Sequence, residues 1–598
     1  MSSKSTVLLA RRIRFVRLVV VLVLLLIAAR LIDIQVVNSG RYSREARSEL
    51  AQPVTVQALR GGIFARNGQP LAVSIPTKEV IADDFQIRHP ITEAKALSPL
   101  LKIPASNLAT ELSRRSGYVP LSHYLGVPAA NKVAADHLPG ITLVDSSLRE
   151  YPNGNLASPV IGSVNAAGHG SSGLEYEYNS LLAGKPGRES ILESPFGVPL
   201  PQTPVVARSV AHPGTGLELT LDPPLQYEAE QALAAQMVST KARNGIAVVM
   251  DVHTGNILAM ANLVANPQNQ ASASNSAPLG SAPTPGAGST GGAVVIGPNG
   301  PVSQAPSALA VTQVNEPGSV FKIATFSAAL QDGVITPNTT FVVPDQEVLD
   351  GSLFHDAETH PTQPMTATQI IAQSSNIGTS YVATNLGESR LLAQVKTLGF
   401  GSPTGLGLPG ESPGILATAA QWEPTNIVSL PIGQVDAVTA QQVLDAYNMV
   451  ANGGVFVPPR LVQATITPSG KAVGTPMKPT RRILSPGIDQ EFTKMLEQVV
   501  KSGTGVHAVI PGYLVAGKTG TANIHLKGRA GFIPGAFVAE FVGFAPANHP
   551  VLSAIVVLNR PNTIYGGSAS APVFAKIMGY ALHRYDIPTS AGSSAQGG

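Results

Sequence analysis

Three patterns of hydrophobic and polar positions follow one another along the chain. Leu18 to Ala29 is an unbroken apolar run, and it continues with two charged interruptions to Val37. After it, apolar residues are spaced as in short strands, and as in short amphipathic helices joined by loops between 88 and 145. From Gly216 onward, longer strand-like and helix-like segments alternate. These patterns predict an apolar helix at 18–37, an N-terminal module at 38–215, a larger module at 216–588 and a disordered tail at 589–598.

The larger module contains one helix that is apolar almost all the way round. It is predicted to begin at Pro317 and Gly318 and to end near Gly333. Such a helix is expected to be buried at the centre of a domain. Ser319 and Lys322 are its notable polar exceptions, and residues three apart share a helix face. Burial disfavours an ammonium group, so Lys322 is a candidate base for the Ser319 hydroxyl. A lone S-x-x-K, however, more often corresponds to a helix cap and a surface lysine.

The segment before this helix has an unusual composition. Between Asp251 and Glu316 there is no Asp, Glu, Lys or Arg, and residues 266–306 are mostly Ser, Ala, Gly, Pro and Asn. Such a segment cannot bury enough apolar area to offset the entropy of ordering it. The composition predicts a mobile, uncharged loop at 266–306 beside the Ser319 helix.

Overall composition excludes several classes of function. A net charge of +3 over 598 residues gives no reason to expect a nucleic acid or another polyanionic partner. The absence of cysteine excludes disulfides and cysteine-ligated metals. We expect neither a metal nor a cofactor.

The N-terminus predicts export of most of the chain. Residues 1–17 contain five basic residues and no acidic residue, and the apolar run follows directly. Because a basic flank stays on the cytoplasmic side, this pattern predicts a cytoplasmic tail at 1–17, a single membrane anchor at 18–37 and an extracytoplasmic remainder. A cleaved signal peptide is the alternative, and it exports the same residues.

Two polar motifs follow the Ser319 helix. Ser374-Ser375-Asn376 lies between apolar segments, where Ser374 and Asn376 are expected on one side of a tight loop. Gly512 to Thr519 has the spacing of a phosphate-binding P-loop. Its spacer Tyr513-Leu514-Val515 nevertheless suits a strand, and Gly520 and Thr521 are poor helix openers. We therefore interpret this stretch as a strand.

In a strand, Lys518-Thr519-Gly520-Thr521 has residues suited to peptide chemistry. Thr519 and Thr521 would lie on one side and Lys518 on the other, while Gly520 would let a substrate backbone approach closely. An edge strand also pairs with an extended peptide. One of its backbone N–H groups, together with that of Ser319, would form an oxyanion hole.

The combination S-x-x-K, S-x-N and K-T-G, in this order, is specific although each motif alone is weak. The chain resembles the class B penicillin-binding proteins, which are membrane-anchored D,D-transpeptidases that cross-link peptidoglycan. Its end is most similar to the division-associated penicillin-binding protein 3 branch. The resemblance also rests on Arg60-Gly61 with Arg66-Asn67-Gly68, Arg149-Glu150-Tyr151-Pro152, Gly173-Leu174-Glu175, Glu316-Pro317-Gly318, Phe541 to Pro546 and Ala571 to Phe574.

The resemblance implies a fold and a setting. The fold is α+β, with an antiparallel sheet that has helices on both faces, as in serine β-lactamases. An elongated, largely β pedestal domain of dimerisation type and one transmembrane helix precede it. The setting is the bacterial cytoplasmic membrane. The implied partners are stem peptides ending in D-Ala-D-Ala, β-lactam antibiotics, a membrane glycosyltransferase and proteins of the division machinery.

The resemblance also implies a role for each motif residue. Ser319 is the nucleophile, Lys322 its base and Ser374 the proton relay to the leaving amine. Asn376 binds the donor peptide's amide and orients Lys322, and Lys518 supplies positive field. The substrate carboxylate is held by Thr519 and Thr521, next to Gly520. The N–H groups of Ser319 and Thr521 form the oxyanion hole.

Some features depart from the family pattern, and some alternatives stay open. Ala65 stands where Asp is usual, and Val435 and Ala440 replace a Gly and a Pro; the 266–306 loop resembles an insertion. An elongation-type transpeptidase or a D,D-carboxypeptidase would use the same motifs. A serine β-lactamase is disfavoured because no E-x-x-L-N follows Asn376. A non-enzymatic division scaffold is the remaining alternative.

Overall fold

The structure is a computed structural model of the chain. It describes residues 3–42, 45, 51–192, 207–266, 294–417, 421, 423, 425–526 and 531–590. The chain divides into a smaller unit (1–59, 74–148 and 184–213) and a larger unit (60–73, 149–183 and 214–598). Segments 60–73 and 149–183 belong to the larger unit because their buried residues, such as Ile63 and Leu174, share its core. A cut at residue 215 would separate residues that pack together.

The smaller unit begins with a long apolar helix. Ser3–Ile32 is α-helical and Asp33–Val37 continues as a π-helical turn. In the described part of the chain, Arg12–Val37 is the one helical stretch long and apolar enough to cross a membrane. This helix agrees with the apolar helix predicted at 18–37.

The smaller unit otherwise mixes strands and helices around a core of its own. Its strands include Val119–Gly126 and Ile141–Glu150, in the region where the sequence predicted only helices and loops. In Val119–Gly126 the buried Val119 and Leu121 alternate with exposed residues, and the strand pairs with Pro70–Ala82. An alternation over so few residues is a weak signal for a strand. The other elements are the strands Ala51–Val56, Pro70–Ala82, Gly187–Leu192 and Ala207–Ser209 and the helices Pro90–Leu101, Ala105–Glu111 and Val127–Ala135.

An antiparallel sheet organises the larger unit. Among the described residues it has six strands: β1 Asn244–Asp251, β2 Ile257–Ala265, β3 Val302–Gln304, β4 Ala516–His525, β5 Phe532–Ala545 and β6 Leu552–Asn559. Their order in the sheet is β3-β2-β1-β6-β5-β4, so β4 is an edge strand as predicted.

Alternate side chains of this sheet enter two different cores. In β1, Ile246 and Val248 pack in the same core as the helix that follows Ser319, whereas Ala247 and Val249 pack against Pro223–Thr240 and Ala571–Arg584. Helices therefore cover both faces, which confirms the predicted α+β architecture. The remaining helices include Lys322–Gln331, Ala367–Gln373, Asn376–Leu386, Glu388–Thr397, Ala440–Ala451 and Ile488–Lys501. Shorter strands include Ile63–Phe64, Gly216–Leu219, Thr340–Val343, Gln346–Leu349, Ser352–His355, Gln363–Thr366 and Val462–Ile466.

Two predicted segments lie largely outside the described residues. Of the loop predicted at 266–306, residues 267–293 are not described. Its end at Val302–Gln304 is a strand that pairs with β2, so this part is not a loop. The tail predicted at 589–598 is described only at residues 589 and 590.

The dispersed motifs of the N-terminal half meet in one buried ion cluster. Arg60 Nε lies 2.5 Å from Glu175 Oε2, and Arg149 Nε lies 2.7 Å from Glu175 Oε1. Arg149 also donates to the carbonyl of Gly61. The cluster joins segments 60–73 and 149–183 within the larger unit.

Candidate active site

Ser319 lies in a 3₁₀ turn that precedes a buried helix. The turn is Gly318–Phe321, and Lys322–Gln331 follows as an α-helix. Gly318 has a φ of +55°, and a Cβ there would lie 2.6 Å from the carbonyl oxygen of Thr521. A Cβ on Gly433 would lie 2.0 Å from the Gly318 oxygen. Both positions need glycine so that the turn can enter between β4 and the Gly433 loop.

Lys322 is fully buried and points to the second motif. Its Nζ lies 2.6 Å from Ser374 O, 3.0 Å from Ser375 O, 3.1 Å from Asn376 Oδ1 and 3.3 Å from Ser374 Oγ. In the described part of the chain the Ser319 hydroxyl makes no hydrogen bond. The predicted base thus lies one turn from the nucleophile and is held by the Ser374–Asn376 loop.

The Ser374–Asn376 loop is a tight break between two helices. Ser374 ends Ala367–Gln373 in the left-handed conformation, with a φ of +61°. Ser375 caps the next helix, because its Oγ accepts from the N–H of Gly378 at 2.9 Å. Ser374 ends one helix in a strained conformation and Ser375 caps the next, so the loop between the two helices is held in one conformation. The prediction of a tight loop holds.

Lys518 on β4 completes the polar cluster. Its Nζ lies 2.9 Å from Ser374 Oγ and 3.3 Å from Thr519 Oγ1. Ser374 Oγ therefore bridges the two lysines. Burial lowers the pKa of Lys322 to about 7, against the opposing charge of Asp356. Burial, and then the charge of Lys322, lower the pKa of Lys518 well below its ordinary value. Because two ammonium groups are costly at this spacing, the cluster favours one amine, which can accept a proton.

The two threonines of β4 contact different segments of the chain, one after β6 and one before β4. Thr521 Oγ1 accepts from the N–H of Gly566 at 3.2 Å, and Thr519 Oγ1 lies 2.7 Å from Thr504 Oγ1. Gly520 differs from its prediction: a Cβ there would meet Pro317 O and Val320 Cγ1 at 3.0 Å. Its missing side chain thus faces the serine turn rather than a substrate.

Sequence reasoning missed several residues around the site. Thr504 belongs to a Gly-Thr-Gly segment. Its hydroxyl reaches that of Thr519 only because the fold brings the two residues together, so no local pattern in the sequence indicates this contact. Asp356 accepts from the N–H groups of Asn376 at 2.6 Å and Ile377 at 3.0 Å, and it also bonds His360. The i,i+4 spacing of Asp356 and His360 was the available signal. In the described part of the chain no group of three His, Cys, Asp or Glu is arranged to hold a metal ion.

Val435 stores backbone strain beside the serine turn. Its φ is +82°, which is an outlier for a β-branched residue, and it follows Gly433 of the same loop. We expect Val435→Gly to stabilise the protein by about 1 kcal/mol, because relief of strain exceeds the entropy cost of glycine. Urea denaturation of the full chain in detergent measures this. Val473→Gly, at an exposed strand position, is the control and should destabilise; equal losses in both variants would contradict the assignment.

A buried carboxyl lies in register with Gly520. Glu540 on β5 pairs with Gly520, and its Oε2 is buried without a hydrogen-bond partner among the described residues. Burial raises the pKa of Glu540 to about 8. Burial, and then the charge of Glu540, raise the pKa of Tyr447. The Tyr447 hydroxyl donates to Val320 O in the serine turn. Because an unpaired charge is costly to bury, Glu540 is expected in its neutral, protonated form at this position.

Glu540→Gln should remove a pH dependence of stability. The folded protein binds the Glu540 proton more tightly than the unfolded chain, so the stability that this proton contributes is full below about pH 4.5 and is lost as pH rises through about 8. At pH 9 we expect the variant to be more stable by about 2 kcal/mol, after allowance for a buried amide. Melting temperatures of both proteins from pH 5 to 9 measure this. A constant difference across that range would contradict it.

Comparisons with known proteins agree with this geometry. The penicillin-binding protein transpeptidase domain matches residues 245–579, and the penicillin-binding protein dimerisation domain matches 55–219. Penicillin-binding protein PbpB of Mycobacterium tuberculosis is 31% identical over 96% of this chain and 84% of its own length. Peptidoglycan D,D-transpeptidase FtsI of Escherichia coli K12 is 29% identical over 96% of this chain and 91% of its own length.

The solved structures point the same way. The crystal structure of penicillin-binding protein 3 from Mycobacterium tuberculosis in complex with aztreonam has a TM-score of 0.67 and 28% identity. The match covers 90% of this chain and 98% of that one. Both predicted modules therefore have relatives, in the predicted order. With its transpeptidase and dimerisation domains and relatives along almost its whole length, the chain belongs to the class B penicillin-binding proteins, on the penicillin-binding protein 3 branch.

Proposed function

We propose that this protein is a membrane-anchored peptidoglycan D,D-transpeptidase that works through an acyl-enzyme on Ser319. The observation that carries the proposal is the buried cluster in which Ser374 Oγ lies 3.3 Å from Lys322 Nζ and 2.9 Å from Lys518 Nζ. It joins all three motifs and contains an amine that titrates near neutral pH. Relatives named as peptidoglycan D,D-transpeptidases support the substrate class.

The geometry supports a sequence of proton movements. Lys322, as the amine, accepts the Ser319 proton while the serine oxygen attacks the carbonyl carbon of the penultimate D-Ala. The N–H groups of Ser319 and Thr521 stabilise the oxyanion, because Gly318 packs on the Thr521 backbone. The proton then reaches the leaving D-Ala amine through Ser374. An amine from a neighbouring stem peptide resolves the ester by the reverse steps.

The polar residues around the cluster bind the substrate. Asn376 accepts from Lys322 through Oδ1 and donates through Nδ2 to His355 O, so it orients the lysine. Its role in binding the amide of the donor peptide is part of the proposal. Lys518 with the hydroxyls of Thr519, Thr521 and the additional Thr504 forms a carboxylate-binding side. β-Lactams acylate the same serine because they place a strained carbonyl where the D-Ala carbonyl binds.

The membrane setting is part of the proposal. The apolar helix spanning Arg12–Val37 and the FtsI-like relatives support a single-pass anchor. The basic flank before it supports a cytoplasmic N-terminus and an extracytoplasmic remainder. The FtsI naming of relatives is consistent with a septal role, which localisation of a fluorescent fusion would test. A membrane glycosyltransferase and division proteins are the partners that we propose.

Peptide mass spectrometry tests the site. The full chain in detergent is incubated with a penicillin, digested and searched for the added mass. We expect a stable adduct on the peptide that contains Ser319, and none in Ser319→Ala. An adduct on another serine would overturn the site. Rapid hydrolysis of the drug without an adduct would favour a β-lactamase, and septation restored in full by Ser319→Ala would favour a scaffold.

A further inference from the structure

His360 lies between two hydrogen-bond acceptors. Its Nε2 lies 3.1 Å from Asp356 Oδ2, and its Nδ1 lies 2.9 Å from the carbonyl oxygen of Pro361. A carboxylate and a carbonyl can only accept, so both ring nitrogens must donate for both bonds to form. The site therefore selects the imidazolium form. The hydrogen bond to the Pro361 carbonyl raises the pKa of His360 most, burial opposes it, and the hydrogen bond and charge of Asp356 raise it further, so that the pKa lies above its ordinary value.

The other side of the Asp356 carboxylate holds the Ser374–Asn376 loop. Oδ1 accepts from the N–H groups of Asn376 at 2.6 Å and of Ile377 at 3.0 Å, in the first turn of Asn376–Leu386. The Asp356 side chain is 6% exposed. Asn376 also bonds Lys322 Nζ through its own side chain. One carboxylate thus connects His360 to the loop that holds the candidate base.

We propose that His360 and Asp356 form a positioning pair that fixes the Ser374–Asn376 loop against Lys322 and balances the charge beside this lysine. The inference rests on the proposed function, in which Lys322 is the base. Neither residue contacts the reacting atoms, so the pair acts through Lys322. Asp356 supplies the acceptor for the two loop N–H groups. His360 supplies the opposite charge, which offsets the stabilisation of the Lys322 ammonium by the Asp356 carboxylate.

The titratable groups around the pair define the electrostatic balance. Asp345 adds negative potential at His360, the charge of Asp356 reaches both Lys322 and Tyr381, and His355 Nδ1 contacts the carbonyl of Asp356. Removing the imidazolium leaves the Asp356 charge uncompensated, which stabilises the ammonium of Lys322. Removing the carboxylate charge does the opposite. The two changes must therefore shift the base in opposite directions.

The test is the pH profile of acylation in matched variants. The rate of acylation by a fluorescent penicillin is measured for the full chain in detergent from pH 5.5 to 9.5. His360→Gln and Asp356→Asn each keep a hydrogen-bonding side chain at the position while removing its charge. Because the charge of Asp356 raises the pKa of Lys322, His360→Gln should move the rising limb of the profile to higher pH and Asp356→Asn should move it to lower pH. We expect each displacement to be about half to one pH unit.

A double variant and a matched control complete the design. Asp356→Asn/His360→Gln should resemble Asp356→Asn alone, because the imidazolium has nothing left to compensate. His549→Gln, at an exposed position of the turn between β5 and β6, should keep the parent profile. Loss of rate at every pH with an unmoved limb in both single variants would overturn the inference, since this is the result of a merely structural role. A parent protein that forms no adduct at Ser319 would instead overturn the proposed function.

Discussion

Replacing Lys322 with Met should slow acylation of Ser319 by a β-lactam by about 10³- to 10⁴-fold, the range expected for loss of a positioned general base. Met keeps the length and the apolar stem of the fully buried side chain, but it has no amine to accept the serine proton. It also leaves the carbonyls of Ser374 and Ser375 without their donor. The rate of labelling by a fluorescent penicillin, measured at pH 8 in stopped-flow or quenched samples, checks the expectation.

Two controls separate the loss of the base from general damage. Lys576→Met changes an exposed lysine and should keep the parent rate. In Lys322→Ala, a small primary amine added to the buffer should restore part of the rate, because it can enter the space left by the side chain. A rate in Lys322→Met within tenfold of the parent would show that another group is the base. Lys518, whose pKa is also lowered by burial, would then be the first candidate.

The site could be predicted from the sequence because each motif is local. In S-x-x-K the three-residue spacing alone places Ser319 and Lys322 on one helical turn. In K-T-G-T the alternation of a strand alone places Thr519 and Thr521 on one side and Lys518 on the other. Their order, together with the family resemblance, then placed them in one site. The structure brings Lys322 and Lys518 each within hydrogen-bond distance of Ser374 Oγ. Their chemical roles remain predictions until acylation is measured.

What the sequence did not predict depends on packing between distant segments. Asp356 is 18 residues before Ser374, and only the fold places its carboxylate on the helix that follows. Gly520 was assigned to substrate approach, whereas its missing side chain faces Pro317 and Val320 of the serine turn. Glu540 has no sequence signature for burial, because a single carboxylate in a strand is normally on the solvent face. Each of these contacts is tertiary, so no local pattern encodes it.

The same argument applies to the three motifs in the N-terminal half that contain Arg60, Arg149 and Glu175. They were recognised only by resemblance, and nothing in their local patterns says that they touch. In the structure Glu175 accepts from both Arg60 and Arg149, so the motifs are parts of one buried cluster. A unit assembled from segments 60–73, 149–183 and 214–598 needs specific interactions between segments far apart in sequence. The cluster is one such interaction.

Glu175→Gln should therefore destabilise the larger unit by about 3–5 kcal/mol, the cost of breaking a buried ion pair from one side. The Glu175 side chain is 0% exposed and those of Arg60 and Arg149 are 6% and 5% exposed. Gln keeps the shape of Glu but leaves two buried guanidinium groups without a counter-charge, and its amide would point a donor at one of them. Urea denaturation of the full chain, followed by circular dichroism in detergent, measures the shift.

The neighbouring Glu177 provides the matched control. It is exposed two residues away, so Glu177→Gln removes the same charge without leaving a buried cation and should change stability by less than about 0.5 kcal/mol. Equal behaviour of the two variants would show that the cluster contributes only shape and hydrogen bonds. The Arg60→Met/Glu175→Leu double variant distinguishes charge from packing further. It removes one cation together with the anion, and it should recover part of the loss because a buried pair replaced by apolar groups is often neutral, whereas an orphaned charge is not.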